Sequence, residues 1–253
     1  AKVTPLLRDD PFFTESVRRC KEITQAVGAE CYTYYTFFAP FSLLRNATTV
    51  TERALAGRTV DETVMAHLQE DEAAVLHALE VVARDMVYLA ERIIHESGCK
   101  GIYQSVQGAE KGRMSQQEYA RWVEPSDRIV LEGINRLSNA NILHMCSWAG
   151  FANHMEYWKD YPAAVKNWGI SIEGLTLSQG LDYFPHCVLM GGLDNRKCGP
   201  LYSGNKEAVQ QAVWKVLDEM GNVPFILGAD CTVPSDIGME RFQWVREALE
   251  TQR

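Results

Sequence analysis

The chain has 253 residues, a formal net charge of −8, 46% hydrophobic and 23% charged residues. That is an ordinary globular composition, long enough for one large domain. The acidic balance argues against a general nucleic-acid binder, which needs a basic face to release counterions. No uncharged apolar run approaches a membrane span. The opening stretch Ala1 to Asp10 has no apolar core of a signal peptide. Seven cysteines, scattered and without a CxxC pair, fit a reducing cytoplasm better than a disulfide scaffold.

Asp10-Pro11 predicts a helix start, an Asp cap followed by proline in the first turn. Phe13, Val17, Cys20 and Ile23-Thr24 carry apolar spacing to about Val27, and Gly28 stops it. Cys31 to Phe38, aromatic and β-branched, reads as a strand. Pro40 ends it, and Pro40 to Leu44 lead into the next helix. Thr59 to Gly98 is helical almost throughout. It has a short apolar face (Val64, Met65, Leu68) and a longer one (Val75, Leu79, Val82, Met86, Leu89, Ile93). His67, His77 and His95 lie in these helices without a partner at i+4 and read as surface or boundary histidines. Ile102 to Gln107 is a strand that ends in amides. Ser115-x-x-Glu118 is a capping box, and Pro125 kinks or divides the helix it opens, which continues from Ile129 to Leu137.

Further on, Asn141 to Gly150 opens apolar and ends on small residues, as a buried strand running into a loop would. Met155 to Tyr161 is a short helix, Ala164 to Gly169 a strand, Leu175 to Leu181 a weak helix. Cys187 to Asp194 is a strand, Asn205 to Met220 a helix, Val223 to Cys231 a strand. Met239 to Glu250 closes the chain as a helix with Phe242, Val245 and Leu249 on one face. Strand and helix thus alternate about six times, the pattern of parallel strands covered by helices. Polar residues sit at the far end of nearly every strand: Gln107, His144 and Cys146, Asn167, Asp194, Cys231. A (β/α) barrel gathers such ends into one active-site ring, so a barrel is preferred to an open doubly wound sheet. Six units are fewer than eight, and two open edges would invite aggregation. The expectation is that two more strand–helix units precede Ala1.

Residues two apart on a strand share a face, so His144 and Cys146 look the same way. With Cys231 they offer one nitrogen and two sulfurs, the donor set of a zinc site with an open fourth position. The competing reading makes His144 a hydrogen-bonded core histidine and both cysteines small hydrophobes. Cys20, Cys31, Cys99, Cys187 and Cys198 read as packing residues. Gln107, Trp148, Trp168 and Asp194 are candidates to line a substrate pocket, the tryptophans being equally explicable as packing under a loop.

With these residues in view, the chain resembles the uroporphyrinogen decarboxylase superfamily over nearly its whole length. The resemblance is most specific at Ile142-Leu-His-Met-Cys146, Met190-Gly-Gly-Leu-Asp194 and Leu227-Gly-Ala-Asp-Cys-Thr-Val-Pro234. It implies an α/β fold, a (β/α)8 barrel of the TIM type. The chain would be a single barrel domain over residues 1–253, lacking about the first two units. One branch of the superfamily, corrinoid-dependent methyltransferases of the methylcobalamin:coenzyme M type, binds zinc through a His-x-Cys motif and a distant cysteine. His144, Cys146 and Cys231 match that pattern. The decarboxylase pattern fits less well: a histidine expected after the last strand's glycine is absent from Gly228-Ala-Asp-Cys231, and Phe-Asp-Ser is replaced within Gln104 to Gln107. The resemblance therefore implies zinc, methylcobalamin or another corrinoid as co-substrate, a corrinoid-carrying partner protein, and a small thiol or methylated substrate. Metal-independent uroporphyrinogen decarboxylation is the alternative. Asp230 or Glu110 is a candidate for a fourth ligand.

Overall fold

Asp10 caps α1 (Pro11–Val27): its carboxylate accepts the Phe12 N–H at 2.9 Å, and Pro11 occupies the first turn. In this computed structural model, which describes residues 3–52 and 60–251 with side chains over 3–47 and 62–251, α1 buries Phe13, Val17 and Cys20. Ile23, expected on that face, is 60% exposed. The helical stripe runs 13, 17, 20, 24, so Thr24 turns inward instead and its hydroxyl meets that of Thr33 at 2.7 Å.

Strand β1 (Tyr34–Phe38) starts later than its aromatic run suggests, and α2 (Pro40–Glu52) follows at once. The long helix α3 (Val60–Ser97) is broken at Asp71, whose φ of −153° and ψ of 79° are non-helical. The Asp71 carboxylate accepts the Ala74 N–H at 3.0 Å, so it caps a second segment. That break separates the two apolar faces seen in the sequence. The helix start expected at Thr59 lies outside the described residues. Next come β2 (Gly101–Val106), α4 (Gln116–Trp122) and α5 (Glu124–Leu137). Ser115 and Glu118 form the reciprocal capping box, and Pro125 sits in the first turn of α5, dividing the two helices as expected.

The remaining strands are β3 (Ile142–Met145), β4 (Val165–Trp168), β5 (Val188–Leu193) and β6 (Phe225–Ala229). Between them lie 3-10 turns at Trp148–Gly150 and Met155–Trp158. The helices of this stretch are α6 (Ile170–Glu173), α7 (Leu177–Tyr183), α8 (Pro200–Ser203), α9 (Lys206–Met220) and α10 (Glu240–Thr251). The one-turn helices α6 and α8 carry too few residues for periodicity to reveal them. All six strands belong to one sheet, ordered β1-β2-β3-β4-β5-β6. It is parallel, with Tyr34 opposite Gly101, Val165 opposite Val188 and Leu189 opposite Phe225. This is the α/β parallel sheet that the alternation predicts. Among the described residues no helix is long and apolar enough to cross a membrane.

By internal contacts the chain divides into two compact units, residues 1–143 with 160–163, and residues 144–159 with 164–253. In the first, α3 packs on α1, α2 and α5. Gly133 lets α5 approach closely: a Cβ there would lie 2.5 Å from a Val87 methyl. Two buried polar clusters tie this unit together. Arg45 on α2 makes a two-pronged ion pair with Glu110, at 2.7 and 3.0 Å, and both side chains are almost wholly buried. Asp127 on α5 is fully buried and accepts from the hydroxyls of Tyr119 at 3.1 Å and Tyr161 at 3.2 Å.

Burial pushes the Asp127 carboxyl up from 3.8 to about 7, against the pull of those two donors. Between these values the unfolded chain loses the proton while the folded chain keeps it. Folded stability therefore falls as pH rises through that window and levels off above about 7. Asp127→Asn keeps an acceptor for the tyrosines and cannot ionise. Above neutrality it is expected to be more stable than wild type by up to roughly 4 kcal/mol, at 1.36 kcal/mol per pH unit, with the gap closing below pH 4. Urea unfolding of both proteins at pH 4, 6 and 8 checks this; parallel pH profiles would refute it.

In the second unit, α9 packs on β5 and β6, and α10 on α9, around Leu193, Leu201, Val209, Val213 and Ala248. Phe242 and Val245 join them, but Leu249, expected on that face, is 37% exposed. Ala248 takes the inner position, where its carbonyl accepts the Trp214 indole N–H at 3.1 Å. A small residue lets the two helices approach there.

Candidate metal centre

The ligand-bearing residues lie in the second unit, at the C-terminal ends of two parallel strands. His144 is on β3, Cys146 one residue beyond it, and Cys231 two residues beyond β6. Two strands separate β3 from β6 in the sheet order. At about 4.8 Å per strand, a flat sheet would hold them about 14 Å apart, and side chains standing perpendicular to it could not close the gap. Yet the ligand atoms of His144, Cys146 and Cys231 all lie within 4.8 Å of one another. The strand ends therefore curl, or their loops turn, toward a common point.

His144 is buried and its Nδ1 lies 2.5 Å from Asn167 Oδ1. Asn167, on β4 and fully buried, donates its amide to the carbonyls of Met190 at 3.0 Å and Ala229 at 3.2 Å. A flipped amide would set its oxygen against both carbonyl oxygens, so the hydrogen-bond network assigns Oδ1 to His144. The imidazole proton then belongs on Nδ1, and the Nε2 lone pair faces Cys231, whose sulfur is 3.4 Å away. Bonds of about 2.3 Å to sulfur and about 2.05 Å to nitrogen at the tetrahedral angle would separate those two atoms by about 3.6 Å. The observed spacing suits two ligands of one metal ion as well as a hydrogen bond from the Cys231 thiol. The adjoining Cys146 thiol, helped by His144 and opposed by burial, holds the Cys231 thiol well below its usual range. A thiol poised to ionise is what metal ligation needs.

Supporting residues hold both cysteine loops. Asn195 accepts the Cys231 N–H at 3.1 Å and donates to the carbonyls of Cys231 and Thr232 at 3.1 and 2.7 Å. Asn153 donates to the Cys146 carbonyl at 3.2 Å. Glu173 in turn binds the Asn153 amide and backbone N–H and the Ser147 hydroxyl, at 2.6 to 2.7 Å. In this braced loop Ala149 adopts φ 53°, left-handed backbone that costs a non-glycine residue roughly 1–2 kcal/mol. Gly192, at φ 108°, has room for no side chain, since a Cβ would meet Val216 at 2.9 Å. Its N–H reaches Asp230 at 3.2 Å, as the Ser171 N–H does at 3.3 Å.

The four pocket candidates fare differently. Trp168 is fully buried, donates to the Leu175 carbonyl at 2.8 Å and packs on Phe184 and Gly180. These are the contacts of a packing residue. Trp148 starts the turn after Cys146 and is half-buried. Asp194 pairs with Arg196 at 2.6 Å; burial raises its carboxyl, but the Arg196 bonds outweigh that and leave it lowered. Gln107 belongs to the first unit, where its amide oxygen accepts from Arg45 at 3.2 Å. Glu110, a candidate fourth ligand, has both carboxylate oxygens engaged by Arg45. The brace of Asn153, Glu173 and Asn195 escaped sequence reading. The only signal was asparagine and glutamate in loops just past strand ends. Comparison with protein-family models and with curated proteins finds no match.

Proposed function

We propose that the chain is a zinc-dependent methyltransferase, moving a methyl group between a corrinoid and a thiol or other small methylated substrate, on a (β/α)8-type barrel. The observation that carries this reading is the convergence of His144, Cys146 and Cys231 at strand C-terminal ends, with Asn167 fixing the imidazole for ligation through Nε2. One nitrogen and two sulfurs suit zinc rather than magnesium or calcium, which take oxygen. Three protein ligands leave a fourth position for a substrate, the mark of a catalytic rather than a structural zinc site. Two cysteinates and a neutral His144 balance the dication. Zinc, when bound, lowers the pKa of a thiol in the fourth position, so that its sulfur is a thiolate at neutral pH. A neutral ligand set leaves that sulfur electron-rich, which favours attack on a methyl group over activation of water. The C-terminal end of a parallel sheet is where α/β proteins place ligands. The resemblance in Ile142 to Cys146 and Leu227 to Pro234 adds the corrinoid, delivered by a partner protein.

The experiment is methyl transfer from free methylcobalamin to a panel of small thiols, with zinc-loaded protein and with its Cys146→Ala variant. Zinc-dependent thioether formation, lost in the variant, is expected. Coproporphyrinogen formation from uroporphyrinogen that survives Cys146→Ala would overturn the proposal in favour of decarboxylation.

A further inference from the structure

A second pair of thiols lies in the first unit, remote in sequence from the metal-site cysteines. Cys20 on α1 and Cys99, just past α3, are both buried, with exposures of 6% and 5%. Packing alone would account for that, as the sequence suggested, but one side chain joins the two residues. Ser97 bridges them: its hydroxyl accepts from the Cys20 thiol at 3.3 Å and from the Cys99 N–H at 3.2 Å, and donates to the Ile93 carbonyl at 2.6 Å. The Cys99 thiol points to the carbonyls of Thr33 at 3.1 Å and Gly101 at 3.2 Å.

The two thiols differ in setting and in acidity. Cys20 lines a groove of about 480 Å³, walled by Phe12, Glu15, Arg19, Ile23, Thr33 and Tyr35 among others. Cys99 is not among the residues lining that groove. The Cys99 thiol lowers the Cys20 pKa, against burial and with help from Ser97 and Thr24. Contact with Cys20 together with burial raises that of Cys99. A groove-lining, acidic thiol backed by a second one is the arrangement of an attacking and a resolving cysteine. The outward-turned Ile23 gives the groove an apolar wall. Its volume is of the size that admits a small organic ligand.

We propose that Cys20 and Cys99 form a thiol–disulfide redox pair whose oxidant is a small-molecule disulfide of the glutathione type entering through this groove. The Cys20 thiolate attacks one sulfur of that disulfide, forming a mixed disulfide and expelling one thiolate. The Cys99 thiolate then attacks the Cys20 sulfur, forming the Cys20–Cys99 bond and expelling the second. Two protein thiols are oxidised by two electrons, one small disulfide is reduced to two thiols, and the two cysteine protons pass to the leaving sulfurs. The product ties α1 to the segment between α3 and β2.

The test equilibrates the full chain with oxidised glutathione, caps remaining thiols with maleimide and maps the peptides by mass spectrometry. The wild type should yield a Cys20–Cys99 linked peptide that excess reduced glutathione reopens. Cys99→Ser should accumulate the glutathione adduct on Cys20, and Cys20→Ser should leave Cys99 a maleimide-capped thiol. The proposal is overturned if Cys20 and Cys99 are both capped in the wild type under conditions that modify exposed Cys31 and Cys198. It is equally overturned if Cys31 is the partner found, or if Cys20→Ser places the adduct on Cys99. The wild-type map decides alone should either serine variant fail to fold. Zinc content and methyl transfer are read separately, so failure here leaves the metal-centre proposal standing, and the reverse.

Discussion

Cys231→Ala is expected to lose at least about 100-fold in zinc affinity while keeping its fold. Substituting a residue that merely orients a metal ligand typically costs 10–100-fold, and Cys231 is a proposed ligand itself. It is half-buried and lies past the end of β6, so its loss opens no cavity in the core around Val209, Val213 and Leu201. Cys187→Ala serves as the control. That thiol contacts the Phe184 carbonyl at 3.5 Å and is absent from the ligand group. Metal analysis after dialysis, with chelator competition and the thiolate-to-cobalt absorption of the cobalt-substituted protein, reads the difference. Equal metal in Cys231→Ala and wild type, or an equal loss in Cys187→Ala, would remove the basis of the proposed function.

Arg45→Met is expected to destabilise the protein by about 3–5 kcal/mol, a large share of the 5–15 kcal/mol typical of a folded domain. The substitution keeps an unbranched stem but strips the guanidinium from Glu110, which is 0% exposed and is left with the Gly108 N–H at 3.3 Å as a donor to that carboxylate. An unpaired buried carboxylate costs far more than a paired one is worth. Adding Glu110→Gln should recover part of the loss, because the charge that lost its partner is gone as well. Urea unfolding of wild type, single and double variants forms the cycle. A single variant within about 0.5 kcal/mol of wild type, or a double variant less stable than Arg45→Met, would contradict the ion pair's role.

The regular elements were legible where the code is local. The Asp10 cap, the Ser115–Glu118 box and the proline that divides α4 from α5 act over three or four residues and can be read directly. The side of a helix that is buried was read less well. Ile23 and Leu249 are as apolar as their neighbours, and only tertiary packing decides that Thr24 and Ala248 face inward. The three candidate ligand residues were visible as types and spacing, yet their convergence depends on the path of β4 and β5 between them. Asn167 marked a polar strand end, but its role follows from two carbonyls, of Met190 and Ala229, that sequence cannot place beside it. Arg45 and Glu110 are 65 positions apart and carry no pattern that announces them as partners. Cys20 and Cys99 looked like packing residues because burial and packing are what an isolated cysteine in an apolar stripe suggests.

The bond from Asn167 to His144 also has a consequence in time and in entropy. A free imidazole divides itself among two tautomers and two ring orientations. Selecting one of four equal states costs RT ln 4, about 0.8 kcal/mol, for a group whose freedom must be given up before it can bind. Here Asn167 on β4 makes the selection in the folded chain, with no cation needed. An ion bound there would meet a nitrogen lone pair already set beside two sulfurs. At the proposed metal site, capture would then be limited by shedding water and displacing thiol protons, with no ring left to turn.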